Sequence, residues 1–216
     1  MYTSTHTTLK LLKVMKIKYL LVVLMFIAAA PFSRAQFGIE AGLTYNELSD
    51  VNAGNVEQSF DAAQGKHVGV FYILGKRNLG VRLGVRYMDA EGLYKDVSQQ
   101  NADGFKASFV EVPVDLRLRL NTPILKPYVV GGVLGRVASG SDDEAFQDAM
   151  QSWNLAANVG AGLELRLGGL SFYPELNYTV GLNSIMKEGT TVGGVTFNAD
   201  DSKLNQFVIK VGIGFH

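Results

Sequence analysis

From Leu79 to Met88 the chain changes character at every residue. Leu79, Val81, Leu83, Val85 and Tyr87 fall on one face, and Gly80, Arg82, Gly84, Arg86 and Met88 on the other. A period of two marks a β-strand with two unlike surfaces, whereas a helix would spread both arginines round its circumference. Val110–Leu120 repeats the pattern, with Val110, Val112, Val114, Leu116, Leu118 and Leu120 opposed to Glu111, Pro113, Asp115, Arg117 and Arg119. Phe37–Asn46, Leu155–Leu167, Leu170–Leu182 and Phe207–Phe215 alternate in the same way. His67–Leu74 and Tyr128–Val137 are more uniformly apolar, which leaves their facing open. Eight strands are expected.

The connections carry independent information. Gly75–Asn78, Asn121–Lys126 and Gly168-Gly169 are short, while Leu48–Gly65, Asp89–Ala107, Ser139–Asn154 and Asn183–Asn205 are long and polar. Short and long alternate along the chain. That is the scheme of an up-and-down antiparallel barrel crossing an outer membrane, with short periplasmic turns and long extracellular loops.

The segment before the first strand points to export. Lys10, Lys13, Lys16, Lys18 and Arg34 are its only charges, and Tyr19–Ala30 is almost wholly apolar. Ser33-Arg34-Ala35 supplies small residues at the positions a signal peptidase reads. About a dozen apolar residues are too few to span the ~30 Å of a bilayer as a helix. Residues 1–35 are therefore expected to be a cleaved signal peptide, with 1–14 an upstream extension if Met15 is the start, and 36–216 the barrel domain. The whole chain holds 20 basic and 20 acidic residues, so losing five basic ones leaves the remainder acidic. An acidic domain is a poor partner for nucleic acid. The chain has no cysteine, which excludes disulfides and thiolate metal sites.

A soluble barrel with an apolar interior shares this alternation. Side-chain volume decides between the two, because an eight-stranded barrel is only wide enough for side chains to fill. The apolar face carries bulky residues, and the polar face carries Gly38, Gly42, Gly80, Gly84, Gly160, Gly162, Gly181, Gly212 and Gly214. The polar face is expected inside. Phe37, Tyr128, Phe172 and Phe215 then form one aromatic girdle and Tyr45, Tyr87, Tyr178 and Phe207 the other. Pro113 and Pro174 fall inside strands, where a bulge or an unpaired strand end would accommodate them.

FVEVPVDLRLRL (Phe109–Leu120), with Glu111 and Pro113 as its E-x-P element, resembles the Y-L-E-I-P-L-L-L-K strand of the PorT-like outer-membrane β-barrel family. The resemblance continues through Lys126–Gly135, Asn154–Leu165 and Phe172–Ile185, and so covers essentially the whole domain. The closing VIKVGIGF (Val208–Phe215) looks like the strand that the barrel-assembly machinery reads, although His216 follows the aromatic residue. The resemblance implies a porin-like barrel of the OmpA/OmpX type, set among outer-membrane lipids and lipopolysaccharide. The best-known member type assists a protein-secretion machine. Such membership constrains location and fold more than activity.

An inward polar face would hold Arg82, Arg86, Arg117, Arg119, Arg166 and Lys210 against Glu40, Glu111, Asp115, Glu164 and Glu175. Charges enclosed in a narrow space must be paired. The expectation is a salt-bridged lumen and a structural or interaction role: envelope integrity, surface contact, or service to a secretion or assembly machine. A narrow solute or ion channel through the same residues is the alternative. A lipid-modifying enzyme ranks third, because no nucleophile constellation accompanies His67 or His216. No catalytic, cofactor or metal residue is assigned. Asp142, Asp143, Glu144, Asp148, Asp200 and Asp201 are read as solvated loop charge, and Phe146, Met150 and Trp153 as residues touching lipid, a partner or the barrel rim.

Overall fold

A computed structural model describes residues 36–48, 51–53, 56–58, 63–76, 78–93, 105–122, 125–141, 144–192, 195–196 and 202–215. The segment expected to be a signal peptide, with Met15, the loop acids Asp142, Asp143, Asp200 and Asp201, and His216 lie outside the described residues. The elements in chain order are β1 (Gln36–Leu48), β2 (Val51–Ala53), β3 (Val56–Gln58), β4 (Ala63–Lys76), β5 (Leu79–Leu93), β6 (Phe105–Arg119), β7 (Leu125–Ser141) and helix α1 (Glu144–Ala149). Then follow β8 (Asn154–Leu167), β9 (Leu170–Gly181), β10 (Thr191–Val192), β11 (Val195–Thr196) and β12 (Leu204–Phe215).

Eight of these strands form one closed antiparallel barrel in the order β1-β12-β9-β8-β7-β6-β5-β4, with β1 pairing back onto β4. Closure leaves no strand edge unpaired, which is the condition for placing a sheet in hydrocarbon. β4 and β5 meet through residues 77–78, β6 and β7 through 120–124, and β8 and β9 through 168–169. Gly168 takes φ +62° in the two-residue turn between β8 and β9, a conformation that disfavours a side chain. The remaining connections leave from the opposite end. They carry α1 and two small hairpins, β2-β3 and β10-β11.

The outward face shows where the bilayer lies. Along β5 it is apolar from Leu79 to Tyr87 and then turns to Asp89 and Glu91. On β6 it runs from Leu118 to Val110 and turns to Ser108 and Lys106; on β4, Lys66 and Gln64 follow Val68. Glu47 ends the belt on β1, and Asn205 ends it on β12. Register aligns these transitions, since Lys66 lies opposite Asp89 and Asp89 opposite Ser108, whose hydroxyl donates to the Asp89 carboxylate at 2.6 Å. Five outward positions span roughly 27 Å along a strand, or about 21 Å of height at a ~40° tilt. That approaches the ~25 Å apolar band of a membrane barrel.

Neither proline needs a bulge or a strand end. On its β7 side Pro113 lies in an unbroken ladder opposite Leu134. On its β5 side the pairing skips from Leu83–Val114 to Arg86–Glu111 and resumes in the same register. The missing N–H thus costs one short gap, and a Cβ on Gly84 would come within 3.0 Å of the proline ring. Pro174 does the same, with β8 and β9 paired on either side of it at Gly162–Glu175 and Leu165–Phe172. Bulges occur instead at Ala90/Leu93 and Ser108/Phe109, near the long-loop end.

Glycine sits inside where rings cross the lumen. A Cβ on Gly162 would lie 2.6 Å from the Tyr128 ring, and one on Gly212 would lie 2.9 Å from Phe71. The wall is pared back to admit these side chains.

The outward face of β6 gives a test. Val114 is central in its apolar run, and Ser108 marks the edge. Val114→Arg is expected to cost about 2–4 kcal/mol and Ser108→Arg no more than about 1 kcal/mol, by urea unfolding in phospholipid vesicles.

Candidate functional site

Among the described residues the ion-paired side chains of the lumen fall into three groups stacked along the barrel. The central group forms around Glu175, 3% exposed, on β9. It accepts from Arg82 at 2.5 and 2.8 Å and from the Tyr128 hydroxyl at 2.6 Å, and it pairs with Lys210 at 3.2 Å. Lys210 also reaches Glu40 at 3.0 Å, and Arg82 forks onto Asp115 at 2.8 Å. The Asn158 amide donates to the second Asp115 oxygen at 2.8 Å. Three carboxylates here meet two cations.

Towards the long-loop end Glu111 is held between Arg86 and Arg136, the latter at 2.8 Å. Arg136 also donates to Gln206 at 2.8 Å, and Gln206 to Asn46 at 2.9 Å. This group carries one excess positive charge against the one excess negative charge of the central group. The two together are neutral. At the short-turn end Arg117, Arg119 and Arg166 converge on Glu164, at 2.8, 2.8 and 2.5 Å.

Beyond Arg136 and Gln206 the lumen turns apolar. Met88, Ala90, Leu93, Ala107, Phe109 and Leu204 from the wall pack with Phe146, Ala149, Met150, Ile185 and Met186 from the connections. Met150 directly follows α1, and its N–H donates to Phe146 O at 3.1 Å, so both side chains turn to one side while Glu144 and Asp148 stay exposed. The two connections are tied together. Gln151 N donates to Ile185 O at 2.7 Å, Lys187 N to Ala149 O at 2.8 Å, and Asn154 Nδ2 to Ser184 O at 2.7 Å. Helix and strap make an apolar stopper at the long-loop mouth.

All eleven charged residues expected on the polar face are there. Arg166, at the strand end, is the most open, its side chain 44% exposed. Arg136 was not anticipated, and one aromatic residue must be corrected. Tyr128, expected in a girdle, is 3% exposed and points inward, where it serves Glu175 and lies under Arg117 at 4.1 Å. Both errors come from β7, whose glycines and valines hide its facing. The signal was its one mid-strand charge: placing Arg136 inside puts every even-numbered residue inside, Tyr128 included. The other girdle residues face outward. Phe37 pairs with Phe215 and with Tyr72, and Tyr45 aligns with Phe207 and Tyr178; Tyr87 is exposed and Phe172 half-buried.

His67 faces the lumen at 4% exposure, and neither ring nitrogen has a hydrogen-bond partner among the described residues. No nucleophile or orienting acid is bonded to it, so the geometry of acid–base catalysis is not assembled there. Trp153 projects outward at the belt edge. Among the described residues no three His, Asp or Glu side chains are grouped to hold a metal ion.

Comparison with known proteins agrees with this architecture. A family model described as "Outer membrane protein beta-barrel domain" matches residues 19–215. Neisserial surface protein A is similar in structure, with a TM-score of 0.51, 15% identity, and 85% of this chain and 99% of that chain covered. Lower scores relate it to AlkL in lipid bilayers (0.45; 16% identity; 87% and 93% covered). Ail of Yersinia pestis, solved with the heparin analogue sucrose octasulfate, scores 0.41 (13% identity; 84% and 99% covered). A search of curated proteins gave no match.

Glu111 offers the sharpest test of the network. Glu111→Ala leaves Arg86 and Arg136 buried without their shared counter-charge, and a loss of about 3–5 kcal/mol is expected in urea unfolding. Glu47→Ala, on the exposed outer edge, is expected to change stability by less than about 0.5 kcal/mol.

Proposed function

The chain belongs to the outer membrane protein β-barrel domain family, and from that premise we propose that it is a non-conducting barrel with a structural or interaction role. The supporting observation is the filling of the lumen. Paired charges occupy its centre and the apolar stopper its long-loop mouth. A diffusion path needs a continuous file of water. The salt-bridged centre would have to open its ion pairs to admit one, and the stopper would have to lift α1 and the Ile185–Met186 strap together.

In this reading residues 1–35 are removed on export and the long connections face outside the cell. The apolar belt sits in outer-membrane lipid, with lipopolysaccharide around the polar edge that Glu47, Lys66, Asp89 and Ser108 mark. The assembly machinery reads β12, which ends in Phe215. The PorT-like resemblance of β6, with Glu111 and Pro113, supports an accessory place beside a secretion or envelope-assembly machine. Contact would be made by the connections that carry α1 and the small hairpins, since exposed loops on a rigid scaffold are where recognition resides.

Planar-bilayer recording of the purified barrel tests the proposal. Insertion without steady conductance is expected. Stable, ohmic channels in most insertions would contradict it and favour a porin.

A further inference from the structure

Among the described residues the two inner charge groups of the lumen cancel each other, whereas the short-turn mouth does not balance. There Arg117 and Arg119 on β6 and Arg166 on β8 share the single carboxylate of Glu164, which is fully buried. Lys126 on β7 stands directly opposite Glu164 in the ladder and points to the same mouth. Among the described residues four cations thus meet one carboxylate, an excess of three positive charges. The rest of this rim, formed among the described residues by Gln36, Ile73, Gly80, Ser171 and Gly214, adds none. One carboxylate offers about four lone-pair positions to three guanidiniums with five N–H groups each.

Arg117 carries an unmet donor. It is 4% exposed, its guanidinium lies 4.1 Å from the Tyr128 ring centre and 5.0 Å from that of Tyr173, and its buried Nε has no partner. Arg119 and Arg166 are 16% and 44% exposed, so the cluster opens to the mouth. Exposed Leu118, Leu120, Leu125 and Leu167 beside it form the last apolar row of the belt at this end, beyond which headgroup phosphates would lie.

We propose that this mouth binds a phosphate group. Guanidinium forks match phosphate oxygens two at a time, and a phosphate of charge −1 to −2 would offset much of the excess without displacing Glu164. The phosphate is that of an anionic phospholipid in the facing leaflet or of a soluble phosphate ester. The site does not depend on whether the lumen conducts.

The test uses the full barrel in maltoside detergent. Calorimetric titration with pyrophosphate is expected to show saturable binding that chloride at equal ionic strength does not reproduce. Native mass spectrometry is expected to show retention of phosphatidylglycerol over diacylglycerol, which lacks the phosphate, if the source is lipid; pyrophosphate binding alone assigns a soluble source. Arg119→Gln with Arg166→Gln should weaken binding at least about tenfold, the worth of one or two charge-assisted hydrogen bonds. Its unboiled gel mobility should match the parent's. If the double variant does not fold, Arg166→Gln alone, at the most exposed arginine, serves. Lys66→Gln at the other end should change nothing. Saturable binding of neither probe, binding equalled by chloride, or binding unaltered in a folded arginine variant would overturn the proposal.

Discussion

Glu175 receives Arg82, Lys210 and the Tyr128 hydroxyl at once, and these come from β5, β12 and β7. No single hairpin contains this arrangement. It exists only when the sheet has closed, so the central ion cluster and barrel closure are one event. Closure itself is imposed by hydrocarbon, which offers no partner to an edge N–H. A barrel this narrow then leaves charges little room for water. Each must find a partner across the lumen, and removing one partner leaves the other stranded in a medium that penalises it heavily. The near-neutral sum of the two inner groups follows from that constraint, and so does the placement of the excess charge at a mouth, where solvent can reach it.

The long-loop mouth solves a different problem. Strands that continue past the belt enclose lumen with no bilayer around it, and an apolar wall there would meet water. Met88, Leu93, Phe109 and Leu204 are instead covered by Phe146, Met150, Ile185 and Met186. Gln206 joins the two regimes, accepting from Arg136 below while its amide approaches the Met88 sulphur at 2.8 Å. The barrel thus has a polar centre, an apolar cap and a basic opposite end.

Much of this was legible in the sequence because a period of two leaves no freedom. Once Arg82 and Arg86 share a face, every other side chain on β5 is assigned up to the bulge past Ala90. Glycine placement turned that face inward. β7 resisted because Gly131, Gly132 and Gly135 fall on both faces and blur the contrast, which cost Tyr128 and Arg136 their correct positions. The prolines resisted for another reason: whether a missing N–H falls on a paired or a skipped position depends on the neighbouring strand. The stopper was out of reach. Phe146 and Met150 show helical spacing, but their contact with Ile185 and Met186 joins two connections far apart in the chain. Nothing local encodes that meeting.

The absence of native cysteine makes the proposed closure of the lumen directly measurable, since any introduced thiol is unique. Thr179→Cys places one on the inner wall, where Thr179 is fully buried beside Asn158, and Glu91→Cys places one on the exposed rim past the apolar belt. The pair can be treated in lipid vesicles with a small, charged thiosulfonate reagent. The rim thiol should be modified rapidly and the thiol at 179 should stay unmodified until the barrel is unfolded. Modification of both at comparable rates in the folded protein would mean that water fills the lumen, and would contradict the closed barrel.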